Sequence, residues 1–208
     1  KKFDLPHHTI WFAKNYRKNV EEITNHKLLS DDPSIYIQNA VVTDPTVAPQ
    51  GKSTLYVLAP VPNNFSHIDW DTCEQDYRNM LIGLIEDKLG IENLEQYIEE
   101  EHIISPKNWE ENLGVYKGAT FNLGHQLTQM LTFRPHNKFE ELKNSWLVGG
   151  GTHPGSGLPI ILESARITSN GILQKHGLAQ LAVKPLPKID LFNTELNNKP
   201  SEKVMLHI

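Results

Sequence analysis

Alternating apolar and polar side chains predict strands in the first sixty residues. The segment 34–42 shows the alternation most clearly and is rich in β-branched and aromatic residues. Segments 9–13 and 54–61 are the other two predicted strands. The loop at 43–53 contains the turn residues Asp44-Pro45 and Pro49-Gln50-Gly51. We therefore expect the second and third strands to pair through this loop.

Apolar side chains at helical spacing predict a long helix after these strands. Asp69 is a favourable N-cap and Gly90 a favourable stop. Between them, one helix face carries Tyr77, Leu81, Leu84, Ile85 and Leu89. Shorter helices are predicted at 16–27, at 94–98 and from residue 105 onwards, where a proline takes the first helical position.

Two regions lack a clear pattern. Residues 116–133 mix glycines with scattered apolar residues, so 126–131 fits either a strand or a short helix. From residue 177 onwards the chain is polar and broken by prolines. We therefore expect residues 177–208 to form a mostly disordered tail.

A glycine-rich segment is the most informative local pattern in the chain. The apolar residues 146–148 predict a short buried strand, and five glycines follow within 149–157. A helix over Leu158–Lys175 is predicted next, with Pro159 in its first turn. Such a turn lets the backbone approach a ligand closely and presents free N–H groups to it, where the helix dipole favours negative charge. The spacing matches neither G-x-G-x-x-G nor a P-loop, so a packing turn and a ligand-binding turn both fit it.

Composition limits the possible functions. The chain has 208 residues, 38% of them hydrophobic, which is enough for one or two compact domains. A formal net charge of −5 provides no basic surface, so we expect no nucleic-acid partner. The one cysteine, Cys73, cannot form an internal disulfide, and no Cys/His cluster has zinc-site spacing, so we expect no metal. No apolar window is long enough to predict a transmembrane helix.

Four motifs follow one another in a fixed order along the chain. They are HHTI at 7–10, VTDPTVAP with LYVLAPVP at 42–62, FRPHN at 133–137, and WLVGGGTHPGSGLP continued by ESAR at 146–166. Their residues and spacing resemble the bacterial-type phytoene desaturases, which are FAD-dependent, amine-oxidase-like flavoproteins of the carotenoid pathway. The resemblance covers the chain from about residue 5 to about residue 175.

The resemblance implies an α/β fold of mixed (α+β) type, as the C-terminal portion of a two-domain FAD-dependent oxidoreductase. Residues 1–115 are then part of the substrate-binding domain, with its sheet and helices. Residues 116–176 supply the last strand, glycine turn and helix of the FAD-binding domain. In this family a βαβ unit with G-x-G-x-x-G holds the ADP part of FAD, and these 208 residues contain no such motif. We therefore expect this chain to carry one side of the cofactor site.

The resemblance also implies an activity, namely FAD-dependent desaturation of an acyclic carotene, from phytoene towards lycopene. A lipophilic polyene is then the substrate, and a peripheral contact with the cytoplasmic side of the membrane is expected. Three alternatives remain open at this point. They are a carotenoid isomerase of the same superfamily, a dehydrosqualene-type desaturase, and a fragment with no function of its own.

The glycine turn supplies the cofactor-binding residues that the resemblance implies. Gly150, Gly151 and Thr152 are expected to face the flavin, with Gly157 and Leu158 at the helix N-terminus. Their backbone N–H groups would meet the polar edge of the ring. His153, inside the turn, either touches the flavin edge or braces the loop.

Asp44 is the candidate catalytic residue. It lies in a matched motif before a proline, where a carboxylate could accept a proton or stabilise developing positive charge. The alternative is an aspartate that hydrogen-bonds its own turn. For Arg134 we favour a structural ion pair over a contact with a cofactor phosphate. A third set of side chains is expected to line an apolar tunnel or to belong to the sheet core: Tyr36, Tyr56, Leu58 and Val61.

Overall fold

The computed structural model describes residues 5–124 and 126–182. Up to residue 182 the chain divides into two compact units, the first ending at Gly118 and the second beginning at Ala119. Mixed helix and strand content agrees with the expected fold class, whereas the domain assignments stay a prediction. Most of the expected tail, 183–208, lies outside the described residues, and 177–182 form no helix or strand.

Three short antiparallel strands form the sheet of the first unit. They are β1 (His8–Trp11), β2 (Ile35–Asn39) and β3 (Leu55–Leu58), and β2 lies in the middle. The three predicted strands and the pairing across the 43–53 loop are confirmed. β2 is shorter than predicted because a 3₁₀ turn begins directly after it.

The first unit has three helices, α1 (Tyr16–Glu21), α2 (Trp70–Leu89) and α3 (Pro106–Leu113). The long helix α2 starts and stops as predicted. Asp69 accepts a hydrogen bond from the backbone N–H two residues on, at 3.1 Å, and Gly90 ends the helix at φ 59°. Such caps satisfy backbone groups that the helix leaves unpaired.

Two of the shorter predictions need correction. The helix predicted at 16–27 is α1 followed by a π-helical segment, Glu22–His26. The helix predicted at 94–98 is a 3₁₀ turn, Leu94–Tyr97. Segments too short for a stable α-helix often form the i→i+3 hydrogen bonds of a 3₁₀ turn or the i→i+5 hydrogen bonds of a π-helix instead.

The core of the first unit lies between one sheet face and α2. Ile35 and Ile37 are each 1% exposed and cluster with Ile85 of α2. Because neighbouring side chains in a strand alternate, Tyr36 lies on the opposite face, where its ring meets Tyr56 at 6.2 Å. Tyr56 is 52% exposed, so the sheet-core interpretation is wrong for this residue.

Cys73 lies near the start of α2 and is half-buried. Burial raises the pKa of its thiol, and the carboxylates of Asp69 and Glu74 act in the same direction. The thiol therefore stays protonated over the neutral pH range.

The second unit contains the glycine segment and one long helix, α4 (Leu158–Lys175), as predicted. The ambiguous segment 126–131 is neither a strand nor an α-helix. It is covered by two 3₁₀ turns, Leu127–Gln129 and Leu131–Phe133.

The strand predicted at 146–148 is wrong. Within the described part of the chain this segment forms only an isolated bridge between Trp146 and Lys138. Val148 is 57% exposed, so it is not the buried position that the apolar pattern suggested. Three consecutive apolar residues are typical of a strand whose two faces are both buried, as in a parallel sheet. No parallel neighbouring strand is present among the described residues.

Candidate functional site

The glycine segment forms a turn in which three glycines have a positive φ. Gly149 has φ +118°, Gly155 has φ +153° and Gly157 has φ +101°, values that side-chain-bearing residues rarely adopt. A Cβ at Gly149 or Gly157 would meet nothing within 4 Å, so the turn is open at these two points. Gly157 is also the N-cap of α4 and provides no side-chain cap.

Several backbone donors of this turn are unpartnered. The N–H of Thr152 closes the turn on the carbonyl of Gly149 at 3.2 Å. Among the described residues, the N–H groups of Gly150 and Gly151 find no acceptor. The start of α4 has no side-chain cap, so the N–H of Leu158 is one further donor without an acceptor among the described residues. The turn can therefore donate hydrogen bonds to an anionic or carbonyl-bearing ligand.

Asn137 holds the turn from inside the second unit. Its buried side-chain amide nitrogen lies 3.0 Å from the carbonyl of His153 and 3.0–3.1 Å from three buried hydroxyls, those of Thr152, Ser164 and Thr168. Ser164 and Thr168 belong to α4, so this network ties the helix to the turn. Thr152, expected to face the flavin, has its side chain buried in this network. Sequence reasoning missed Asn137, although it ends the FRPHN motif.

Arg134 supports the turn from another direction. Its guanidinium is 1% exposed and donates to four backbone carbonyls, including that of Gly150 at 2.5 Å. The other three acceptors are the carbonyls of Leu123, Gly124 and Gln129. The favoured ion pair is wrong for the described residues, since no carboxylate there contacts Arg134. A planar guanidinium offers five donors, which suits a cluster of carbonyls better than a single partner.

His153 braces the loop in this structure. Its backbone N–H donates to the carbonyl of Pro135 at 2.8 Å, and its Nδ1 lies 3.3 Å from the carbonyl of Leu131. The ring also lies 6.4 Å from that of His136. These contacts favour the bracing alternative, and a flavin contact stays a prediction.

Asp44, in the first unit, caps a 3₁₀ turn, Pro45–Val47. Its Oδ1 accepts from the hydroxyl of Thr46 at 2.6 Å and from the backbone N–H of Thr46 at 2.9 Å. These two hydrogen bonds lower the pKa of the exposed Asp44 carboxyl. Its Oδ2 accepts no hydrogen bond from any described residue. The turn-forming role is thus present, and one carboxylate oxygen remains available.

The rings of His7 and His8 contact Thr43, the residue that precedes Asp44 in the chain, and Tyr36. His7 Nδ1 lies 2.9 Å from the hydroxyl of Thr43, and His8 Nδ1 lies 2.7 Å from the hydroxyl of Tyr36. The rings of His7 and His8 stack at 4.3 Å. Both histidines are half-buried, so they belong to the sheet surface and fix the backbone that leads to Asp44.

The first unit also contains an apolar cavity of about 860 Å³ between β3 and α2. Its lining includes Val57, Val61 and Leu81. Of the four residues considered for a tunnel, Val61 alone lines this cavity. Charged side chains lie along it as well, among them Lys52, which pairs with Glu99.

Arg78 anchors the polar side of that cavity. Its guanidinium is buried and contacts Glu95 at 2.6 Å and Glu101 at 2.9 Å. These two carboxylates, Glu95 first, raise the pKa of Arg78. The pairs fix the segment 95–101 against α2, which keeps the cavity wall in place.

Within residues 5–124 and 126–182, no helix is long and apolar enough to cross a membrane. No group of three or more His, Cys, Asp or Glu side chains in these ranges could hold a metal ion.

Comparison with known proteins gives a consistent result. No family model matches the chain. It is 55% identical over 174 residues to a 4,4'-diapophytoene desaturase (4,4'-diapolycopene-forming) of Methylomonas, covering 84% of the chain and 34% of that relative. It is 38% identical over 179 residues to an all-trans-zeta-carotene desaturase of Myxococcus xanthus, covering 86% and 34%.

A third relative, a phytoene desaturase (lycopene-forming) of Paracoccus, is 39% identical over 171 residues, covering 82% of the chain and 34% of that protein. The chain thus spans about a third of the length of the curated relatives that it matches. These relatives share most of this chain, at identities well above chance, and they are all carotene desaturases by name. The chain belongs to the carotenoid desaturase family.

Proposed function

We propose that this chain is part of an FAD-dependent desaturase that removes hydrogen from an acyclic carotene. The observation that carries the proposal is the open glycine turn, in which the N–H groups of Gly150 and Gly151 have no acceptor among the described residues. Relatives that act on phytoene, diapophytoene and zeta-carotene, as their names say, support the substrate class. Because the chain spans a third of those proteins, the activity is that of the whole protein.

The backbone N–H donors of the turn suit the polar edge of the flavin ring of FAD. The polar edge of a flavin carries carbonyl oxygens and gains negative charge on reduction, and both features call for N–H donors. The residues proposed to hold this edge are Gly150, Gly151, Thr152, His153, Gly157 and Leu158. FAD, when bound, supplies the hydride acceptor. The residues of the turn orient the ring edge and keep side chains out of its way.

Asp44 is proposed to accept the proton. When a C–H bond gives up hydride, the neighbouring carbon holds an acidic proton, so a weak base is sufficient. The lowered pKa of Asp44 keeps its carboxylate ionised, and Oδ2 is the oxygen that is free to take the proton. With the hydride taken up by the acceptor that FAD would supply, the step leaves a C=C bond in the substrate and a protonated Asp44 carboxyl.

The apolar cavity of the first unit is proposed to receive part of the polyene. Its lining by Val57, Leu81 and Ile82 offers a hydrocarbon chain the apolar contacts that it lacks in water. A volume of about 860 Å³ is within the ordinary range of small-molecule sites. The ion pairs of Arg78 and Lys52 then border the site without entering its apolar part.

A peripheral membrane contact at the cytoplasmic face is the proposed setting. The substrate class is lipophilic, and the second unit exposes large apolar side chains on its short turns. Leu127, Leu131 and Phe133 are all exposed there. Side chains of this type insert into the boundary between headgroups and acyl chains. Co-sedimentation with liposomes, compared between the protein and its Leu127→Ser/Phe133→Ser variant, tests this setting.

The experiment on function uses the protein encoded by the complete gene in which this chain occurs. It is incubated with FAD and with phytoene or diapophytoene in separate reactions, and the polyene absorption is followed. Longer conjugation supports desaturation and identifies the preferred carotene. A chromophore of unchanged length but altered geometry would assign an isomerase instead. No change with any acyclic carotene would overturn the proposal.

A further inference from the structure

The guanidinium of Arg134 is a buried cation without a counter-ion among the described residues. It is 1% exposed, and four backbone carbonyls are its hydrogen-bond acceptors. Its Nε is buried and has no hydrogen-bond partner in the part of the chain that the structure describes. Carbonyl dipoles hydrogen-bond the cation but do not cancel its charge. Buried charges are normally paired, so residual positive potential remains at this point.

One of the four carbonyls connects this charge to the glycine turn. The carbonyl of Gly150 and the N–H of Gly151 belong to the same peptide group. The Gly150–Gly151 peptide bond is trans. In a trans peptide the C=O and N–H bonds point in opposite directions. The N–H of Gly151 therefore points away from the guanidinium, and it finds no acceptor among the described residues.

When a charged group donates a hydrogen bond to a carbonyl, the N–H of the same peptide group becomes a stronger hydrogen-bond donor. The charged guanidinium of Arg134 donates to the carbonyl of Gly150, so this hydrogen bond is charge-assisted. Such a bond polarises the peptide group, and successive hydrogen bonds reinforce each other. The N–H of Gly151 becomes a better donor for a negatively charged acceptor than an ordinary backbone amide.

We infer that Arg134 is a positioning residue that makes the turn favour a negatively charged ligand edge, acting through the Gly150–Gly151 peptide. The inference rests on the proposed function, because the ligand is taken to be FAD. Negative charge gathers at the polar edge of the ring on reduction, so Arg134 favours the reduced cofactor over the oxidised one. It contacts neither substrate nor cofactor itself.

The test compares Arg134→Met with Arg134→Lys in the complete, FAD-loaded protein. Both variants lose hydrogen bonds to carbonyls and both lower Tm, so Tm alone does not separate them. Met removes the charge, and we expect it to weaken the binding of reduced relative to oxidised FAD about tenfold. For a two-electron couple this lowers the midpoint potential by about 30 mV. Lys keeps the charge and should leave the potential near that of the parent.

The outcomes separate this inference from the proposed function. A parent protein that carries no flavin overturns the proposed function. A flavin-loaded Arg134→Met variant with the parental midpoint potential overturns the role of Arg134 and leaves the proposed function standing. A drop in potential for Met but not for Lys supports both.

A second pair of variants covers the case in which Arg134→Met does not fold. Gly151→Pro removes the N–H in question and leaves the Gly150 carbonyl to Arg134, whereas Gly151→Ala adds a Cβ and keeps the N–H. We expect Pro alone to weaken the binding of reduced relative to oxidised FAD about tenfold, which lowers the midpoint potential by about 30 mV. Equal potentials in the two variants would contradict the inference.

Discussion

The indole of Trp146 lies directly against the backbone of Gly171 in α4. A Cβ at position 171 would sit 2.5 Å from Cζ3 of Trp146 and 3.0 Å from its Cη2. Glycine in the middle of a helix is normally unfavourable, but here it makes the space in which the ring lies. The segment around Trp146 therefore packs onto α4 only because residue 171 has no side chain.

Gly171→Ala should destabilise the second unit, although alanine is the better helix former. The methyl group has to displace the indole, and overpacking of this kind costs about 1–3 kcal/mol. Gly83→Ala in α2 is the matched control, because a Cβ there meets nothing within 4 Å. That variant should gain about 0.5–1 kcal/mol from helix propensity. Denaturant unfolding measures both, and equal effects would show that Trp146 does not pack as described.

Asn137→Asp should loosen the turn from α4. The change replaces the amide donor with an oxygen that faces the carbonyl of His153 and the hydroxyls of Thr152 and Ser164. We expect a loss of at least about 2 kcal/mol in the free energy of unfolding. Asn112→Asp, at an exposed position of α3, is the control and should be nearly neutral.

The cost of Asn137→Asp should depend on pH. Burial raises the pKa of the introduced carboxyl above its unfolded value of about 3.9, so the folded state binds the extra proton. Stability then falls as pH rises from about 4 to 7. A loss that is the same at both pH values would show that the site is hydrated and that the carboxylate is tolerated.

Gly157→Val should abolish FAD retention in the complete protein. Space is available for the side chain, but φ +101° is strained for valine, by about 1–3 kcal/mol. The turn should shift and its N–H groups with it. Gly51→Val introduces similar strain at φ +79° in a loop of the first unit and should keep the flavin. Flavin absorbance of the purified variants decides, and retained flavin in Gly157→Val would remove this position from the cofactor site.

Asp44→Asn should lower turnover far more than FAD binding. Asparagine caps a turn about as well as aspartate, so the local fold survives, while a positioned acid–base group contributes about 10²–10⁴-fold to the rate. Asp69→Asn, which changes the cap of α2, serves as the control and should leave turnover intact. An unchanged desaturation rate in Asp44→Asn would return Asp44 to a turn-forming role.

The decline of the desaturation rate at low pH is a second test of the role of Asp44. Its carboxyl has a lowered pKa because Thr46 donates two hydrogen bonds to it. The carboxylate that accepts the proton thus persists to lower pH than for an ordinary aspartate. The rate should decline only below the ordinary pKa of an aspartate, about 3.9, and a decline centred above pH 6 would assign the base to another group.

The 208-residue chain alone should not bind FAD appreciably. It contains no G-x-G-x-x-G unit for the ADP part of the cofactor, so the glycine turn would act without donors for the pyrophosphate or the ribose. A titration followed by flavin fluorescence measures this, with the complete protein as the positive control. Tight, stoichiometric binding by the chain alone would place the whole cofactor site within these residues.

Sequence reasoning succeeded where the determining interactions are local. The cap at Asp69, the stop at Gly90 and the helix after Gly157 follow from backbone requirements of a few neighbouring residues. The strand prediction for 146–148 failed because an apolar triplet forms a strand only when a partner strand lies beside it. Its pairing depends on chain contacts that spacing does not reveal.

The interactions that hold the turn could not be read from the sequence. Asn137 and Arg134 act through acceptors up to 31 residues away, most of them carbonyls and hydroxyls that any sequence contains. Pattern analysis looks for charges near opposite charges, so a guanidinium surrounded by carbonyls gave no recognisable pattern. The FRPHN motif pointed to the right segment but not to what its residues do.

Cys73 gives the first unit a single thiol of low reactivity. It is the one thiol of the chain, it lies in the long helix that backs the sheet, and its raised pKa keeps it in the unreactive protonated form. Because the thiolate is the nucleophile, this half-buried thiol should react slowly with alkylating reagents at neutral pH. Labelling then marks one known position of α2, without any engineered probe.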